Sequence, residues 1–366
     1  VPEGEIVNPQ PHRSEGKGDG LGFGRRVPRP ITRRAFLGRG LGALAAAALP
    51  GCLSFSAPTE SSPSPWPAVR FLHAGDLLMT AEPGGYRGLS LTKSIDRAFT
   101  AAEKMNALDD IDFILFSGNL IANRRPSDAR VLLEFLGMLR HRWFVVPGSA
   151  EAAPGTDGLE KSEFLDLVTG HGPDEGRGFW AVRAQRRVWL LGIDTTLSPT
   201  ADPGLWDRQL TLLKETVDGR PDELLLVLAH HPPLGPEAPR LRGPWAPEPP
   251  DPDREELRFV LEAGENIKMV FAGHRLWNEV RTVSGLHVVT SPSTGLFPAA
   301  LREVRIRGRR ARLLYHPLLS SEDESRAREA AAASGPARKY NPEMPRTFAD
   351  LLYGTGRDRE GVLRLR

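Results

Sequence analysis

Seven short apolar runs punctuate the middle of the chain, at residues 69–74, 113–117, 143–146, 188–193, 224–229, 268–272 and 287–290. Each is bounded by turn-forming residues and has the length of a strand. None alternates apolar with polar, which predicts strands buried on both faces, as in a parallel sheet. Between them apolar residues recur at helical spacing. Ile95, Phe99, Ala102 and Met105 fall on one helix face, and Leu132, Phe135, Leu136 and Leu139 on another, with Ser127 as the expected cap. Trp206, Leu210, Leu213 and Val217 mark a third helix. This alternation predicts an α/β fold. Residues 303–307 and 312–315 read as a closing hairpin across Gly308, residues 322–333 as a solvated helix, and 335–346 as loop.

The N-terminal region has a different pattern. Residues 32–38 (TRRAFLG) place Arg33 and Arg34 ahead of a mildly apolar stretch at 41–49, which ends in Leu49-Pro50-Gly51-Cys52. A charged region, a short apolar region and a small residue before a cleavage point compose a signal peptide, and the stretch is too short to span a bilayer. The arginine pair resembles a twin-arginine export signal, and Leu-x-Gly-Cys resembles a lipobox that would make Cys52 a lipidated first residue. The expected organisation is a signal peptide at 1–52, a Ser/Pro-rich tether at 53–67, a catalytic-type domain at 68–318 and a tail at 319–366, partly helical or disordered. The expected location is the periplasm or outer surface, with membrane contact only through a lipid anchor or the signal peptide.

Composition narrows the chemistry. Lysine plus arginine total 48 and aspartate plus glutamate 46, a net charge of +2, which argues against a nucleic-acid partner. With Cys52 the single cysteine, an internal disulfide and a Cys-rich zinc site are both excluded. Hydrophobic residues make up 40%, enough for a sizeable core.

In an α/β sheet, ligands bind beyond the carboxyl ends of the strands. The residues that follow successive runs are Gly75-Asp76-Leu77-Leu78, Ser117-Gly118-Asn119-Leu120, Pro147-Gly148-Ser149-Ala150-Glu151, His230-His231-Pro232-Pro233 and Gly273-His274-Arg275-Leu276. In order and spacing they resemble the motifs of the calcineurin-like metallophosphoesterases, D-x-H, G-D, G-N-H-[DE], H and G-H-x-H. The resemblance runs from about Ala68 to Pro317 and includes Leu-Gly-Ile-Asp-Thr at 191–195 and Ser-Pro-Ser-Thr-Gly at 291–295.

The resemblance implies a four-layer α/β/β/α sandwich with two divalent metals that attack a phosphate ester through a bridging hydroxide. It also marks where this chain departs from the pattern. Asp76, His230 and His274 match ligands. Leu78 and Leu276 stand where histidines belong, Asn119 replaces the bridging aspartate, Ser149 the asparagine ligand and Ala150 the catalytic histidine. The first metal site has lost its imidazoles. The second, with His230, His274, Asn119 and support from Asp76, leaves room for one zinc, manganese or iron ion and argues against a two-metal centre. His231, Arg275 and Ser149 are candidate substrate or anion contacts. His73 reads as core, Asp194 as structural and Glu151 as solvated. The Pro-rich segment 232–253 with Trp245 reads as a loop over the cleft.

Three readings follow. The chain is an exported phosphoester hydrolase with a reduced mononuclear site, or a pseudoenzyme that binds a phosphate ester or a cell-envelope ligand, or a structural lipoprotein with a filled cleft.

Overall fold

The computed structural model describes residues 66–82, 84–152, 158–172, 178–197, 203–234 and 252–365. The expected export signal, Cys52, nearly all of the tether, and most of the Pro-rich loop with Trp245 lie outside those residues.

The chain opens with β1 (Val69–Ala74), a small hairpin of β2 (Gly85–Tyr86) and β3 (Leu89–Ser90), α1 (Ser94–Asn106), β4 (Phe113–Phe116), α2 (Pro126–Met138) and β5 (Trp143–Val145). Next come α3 (Ser149–Ala152), α4 (Lys161–Leu167), β6 (Phe179–Gln185), β7 (Val188–Ile193), α5 (Pro203–Asp218), β8 (Leu224–Ala229), α6 (Pro252–Ala263) and β9 (Ile267–Ala272). The remainder is β10 (Glu279–Val283), β11 (Leu286–Thr290), β12 (Ala300–Arg307), β13 (Arg310–Pro317), α7 (Ser321–Ala332), α8 (Gly335–Tyr340), α9 (Arg346–Tyr353), α10 (Gly356–Arg359) and β14 (Gly361–Arg364).

All seven apolar runs are strands, and they sort into two sheets. One runs β14-β13-β12-β1-β4-β5 and the other β10-β11-β9-β8-β7-β6. β1, β4 and β5 are parallel, as are β7, β8, β9 and β11, which is why these runs are apolar on both faces. Phe71, Leu115, Phe144 and Val304 of the first sheet pack against Leu190, Leu226, Phe271 and Val289 of the second. The Phe71 and Phe271 rings meet edge to face across that layer, with centroids 5.2 Å apart. The outer face of the first sheet is covered by α1 and α2 through Ala98, Ala102, Leu132 and Phe135, and that of the second by Trp206, Leu210, Leu257 and Leu261 of α5 and α6. The result is the expected α/β/β/α sandwich. No described helix is long and apolar enough to cross a membrane.

Three local expectations are corrected. α1 buries Ala98, Ala101, Ala102 and Met105, whereas Ile95 and Phe99 are only partly covered. Small alanines let the helix approach the sheet closely, so the face rotates away from the phenylalanine. α2 starts one residue earlier than its expected cap. Arg125 holds the cap position and Pro126 opens the first turn, where a missing N–H costs nothing, so Ser127 lies inside the helix.

The largest correction is the tail. β14 adds an edge strand antiparallel to β13. Within 335–346, read as loop, lies α8. Ala331, Ala337, Phe348, Ala349 and Leu352 are buried against Leu78, Leu89, Leu276, Trp277 and Phe297. The buried Arg302 of β12 donates to the carbonyl of Asp358 at 2.8 Å and also to Asn278 Oδ1. The tail is therefore integral to the domain.

Candidate active-site cleft

The carboxyl ends of β1, β4, β5, β8 and β9 converge because their turns are cut close. At Gly118, with φ +83°, a Cβ would come within 2.6 Å of Gly148 N and 2.9 Å of His230 Nδ1. A Cβ on Gly148 would lie 2.3 Å from Asn119 N. Only glycine allows three strand ends to meet here.

The turn residues themselves are left-handed. Asp76, Leu78, Asn119, His274 and Leu276 have φ of 53°, 51°, 54°, 68° and 65°. Each costs about 1–3 kcal/mol for a residue with a Cβ, and such strain concentrates at functional sites. Leu78 and Leu276 share the left-handed backbone of Asp76 and His274, although their side chains ligate nothing. Both leucines are fully buried in the apolar cluster with Leu89, Phe297, Phe348 and Leu352. That half of the cleft offers a metal no donors from these positions.

Asn119 sits at the centre. Its backbone N–H donates to Glu151 Oε2 at 2.8 Å, and its side-chain Oδ1 accepts the Ala150 N–H at 2.8 Å. An N–H can meet only the oxygen of the amide, so the NH2 end faces the cleft. It donates to Asp76 Oδ1 at 2.7 Å and to the Tyr86 hydroxyl at 3.3 Å. Asn119, expected among the metal donors, thus presents hydrogens and not a lone pair. Burial pushes the Asp76 carboxyl up to about 7, against the opposing pull of the Asn119 hydrogen bond, the Arg87 charge and the His274 backbone N–H.

The other half retains imidazoles. His230 Nδ1 lies 2.7 Å from the Ser117 carbonyl and must donate to it, which leaves the Nε2 lone pair facing inward. His274 Nδ1 is 3.2 Å from that nitrogen, and Ser149 Oγ is 3.3 and 3.5 Å from the two rings. Donors bound tetrahedrally to one ion at roughly 2.0–2.1 Å lie about 3.3 Å apart, so this triangle suits a single divalent cation. His231, expected as a substrate contact, stands within the same cluster. Ring nitrogens of His230, His231 and His274 all lie within 4.8 Å of one another, and the three could hold a metal. Thr195 Oγ1 fixes His231 Nδ1 at 2.9 Å. The family's first metal site therefore does not fit these residues, whereas the second fits in donor type and spacing.

Two neighbouring residues of the site escaped sequence reading, Tyr86, whose hydroxyl accepts from Asn119, and Arg87. Arg87 belongs to the two-residue turn of the β2–β3 hairpin, where Arg87 and Gly88 have φ of 49° and 82°. That is the conformation of a tight hairpin turn, in which both central residues are left-handed. Its Nη1 donates to the His274 carbonyl at 3.1 Å, and its Nη2 lies 3.1 Å from His274 Nε2 and 3.4 Å from Nδ1. The available signal was Tyr-Arg-Gly-Leu between strand-length fragments, too short to register as a hairpin.

Three other expectations meet the structure here. Glu151, read as solvated, is fully buried and accepts the backbone N–H groups of Asn119, Gly148 and Ile121 at 2.8, 2.7 and 3.1 Å. Burial raises its pKa and those donors partly restrain it. Arg275, a candidate anion contact, pairs with Glu279 at 3.0 Å and donates to the Leu234 carbonyl. Asp194 is structural as expected, accepting from Thr196 and pairing with Lys161 at 2.6 Å.

A family model described as calcineurin-like phosphoesterase matches residues 69–277. A probable glycerophosphodiester phosphodiesterase of Arcobacter nitrofigilis is 22% identical over 184 residues, 46% of this chain and 60% of that protein. A glycerophosphodiester phosphodiesterase of Enterobacter lignolyticus is 26% identical over 166 residues, 44% of this chain and 55% of that protein. The match thus spans little more than half the length of these relatives. A dimetal phosphatase from Danio rerio superposes with a TM-score of 0.55 at 14% identity, covering 69% of this chain and 97% of that one, a likeness of fold.

Proposed function

The chain belongs to the calcineurin-like phosphoesterase family, and from that premise we propose that it binds a phosphate-bearing ligand in the family cleft without hydrolysing it. The observation that carries this reading is the burial of Leu78 and Leu276 among apolar side chains where the first metal's histidines belong. The protonation machinery is gone as well. At the position of the catalytic acid stands Ala150, whose backbone N–H is committed to Asn119. A positioned acid typically contributes about 10²–10⁴-fold in rate.

What the cleft keeps suits anion binding. Arg87, Ser149 and Tyr86 are partly exposed residues around the buried histidines. Charge-assisted hydrogen bonds from a guanidinium to phosphate oxygens are among the stronger polar contacts. A divalent ion held by His230, His231 and His274 would add Lewis-acid polarisation of a phosphoryl oxygen. Export is part of the same proposal, supported by Arg33, Arg34 and the apolar stretch before Cys52. Appearance of the processed chain in the cell-envelope fraction, lost on Arg33→Lys with Arg34→Lys, tests it.

The relatives' names supply the substrate probe. Glycerophosphocholine and bis(4-nitrophenyl) phosphate are offered to the purified chain with manganese or zinc. The expected result is no turnover above that of His274→Ala, with inorganic phosphate still bound in the presence of a chelator. Turnover that disappears on His274→Ala would restore the reading of a mononuclear hydrolase.

A further inference from the structure

We propose that Arg87 is a built-in cation that stands in for a metal ion, and that the C-terminal segment holds it in the cleft. Arg87 Nη1 donates to the His274 carbonyl at 3.1 Å, and its Nη2 lies 3.1 Å from His274 Nε2 and 3.4 Å from Nδ1. A contact nearly equidistant from both ring nitrogens places the guanidinium against the ring, beside the cluster of His230, His231 and His274.

A metal ion held by His230 and His274 would stand directly beside this fixed positive charge, and like charges at contact distance repel. Arg87 also supplies positive charge beside Asp76, the family's retained first-metal carboxylate. It thus performs the electrostatic part of a metal's task while disfavouring the metal itself.

The hairpin that presents Arg87 is pinned from outside. A Cβ at Gly88 would lie 2.9 Å from Pro336 Cγ, so the turn packs directly against α8. α8 is in turn anchored through the buried Ala337 to Phe348 and Leu352 of α9. The tail thereby acquires a role: it fixes the position of an arginine that a free two-residue turn would leave mobile.

The inference rests on the binding reading of this site, but its test reads affinity and not turnover. Zinc is titrated calorimetrically into the full chain, Arg87→Ala and Arg87→Gln, each checked for an unchanged melting profile. Both variants should bind zinc about 10-fold more tightly than the parent, because a like charge beside the ion is removed. The gain should vanish on adding His274→Ala. Gly88→Ala, which pushes the turn off Pro336, should show the same direction of change. Equal affinities for the parent, Arg87→Ala and Arg87→Gln would overturn the role of Arg87. Parental zinc affinity in Gly88→Ala would overturn the hold by the tail. Metal-dependent hydrolysis by the parent would sink the binding reading, yet would leave the affinity comparison to be decided by these numbers.

Discussion

Leu78 and Leu276 on one side of the cleft, and His230 and His274 on the other, leave the ends of parallel strands on similar turns. Leu276 and His274 even share a left-handed backbone two residues apart. On the first side the side chains turn into an apolar cluster closed by α7, α8 and α9. On the second they face each other at 3.2 Å over Ser149 and remain hydrogen-bonded. The turns are fixed by close glycine packing and by the backbone N–H groups that Glu151 accepts, and not by the side chains of Leu78 and Leu276. Strand ends and side-chain chemistry can therefore part company, and fold membership alone does not specify the reaction.

The comparison breaks most visibly if the first half can be rebuilt. Leu78→His with Leu276→His buries two imidazoles among leucines and phenylalanines, and should cost about 3–5 kcal/mol of stability in a urea titration. A variant of parental stability that binds a second metal would show that the apolar half is not committed.

Glu151 sharpens the same contrast, since it braces the turns after β4 and β5 that carry Asn119 and Ser149. Glu151→Ala leaves three buried backbone N–H groups without their acceptor and should destabilise by about 2–4 kcal/mol. Glu151→Gln, which keeps one oxygen, should lose less. An equal loss in both variants would assign the effect to side-chain volume and not to the hydrogen bonds.

A smaller effect comes from outside the cleft and serves as its control. Burial pushes the Glu303 carboxyl up, but hydrogen bonds from Arg305, Arg70 and His316 outweigh it and hold the group at about 2, below its ordinary 4.5. A depressed carboxyl stabilises the fold above its unfolded pKa, and the contribution is lost as pH falls towards 2. Glu303→Gln should therefore cost about 1–2 kcal/mol at pH 7, discounted for the exposed arginines, and nothing near pH 2. Zinc affinity should not change, because Glu303 supports β12 and not the cleft.

Much of this was legible in the sequence. Buried parallel strands need continuous apolar runs, so β1, β4, β5, β7, β8, β9 and β11 were marked, and with them the turns that carry Asp76, Asn119, Ser149, His230 and His274. What escaped was decided by distant partners. Glu151 looks like a surface acid until three backbone N–H groups from two turns converge on it. Arg87 is one of 48 basic residues, and nothing local says that its turn packs on Pro336. The helices of the tail are short, and their apolar residues Phe348 and Leu352 acquire meaning only against Leu78 and Leu276. Asn119 matched its motif position in shape, but the Ala150 N–H that turns its amide round belongs to another strand's loop.

Metal stoichiometry at saturation distinguishes a cleft with one metal-binding half from a cleft with two. The full chain is equilibrated with excess zinc or manganese, desalted, and its metal content measured by elemental mass spectrometry. The expected content is no more than one equivalent, rising towards one in Arg87→Ala and falling to none when His274→Ala is added. Two equivalents on the unmodified chain would mean that the Leu78 and Leu276 half still binds metal, and would contradict the division of the cleft on which every other conclusion depends.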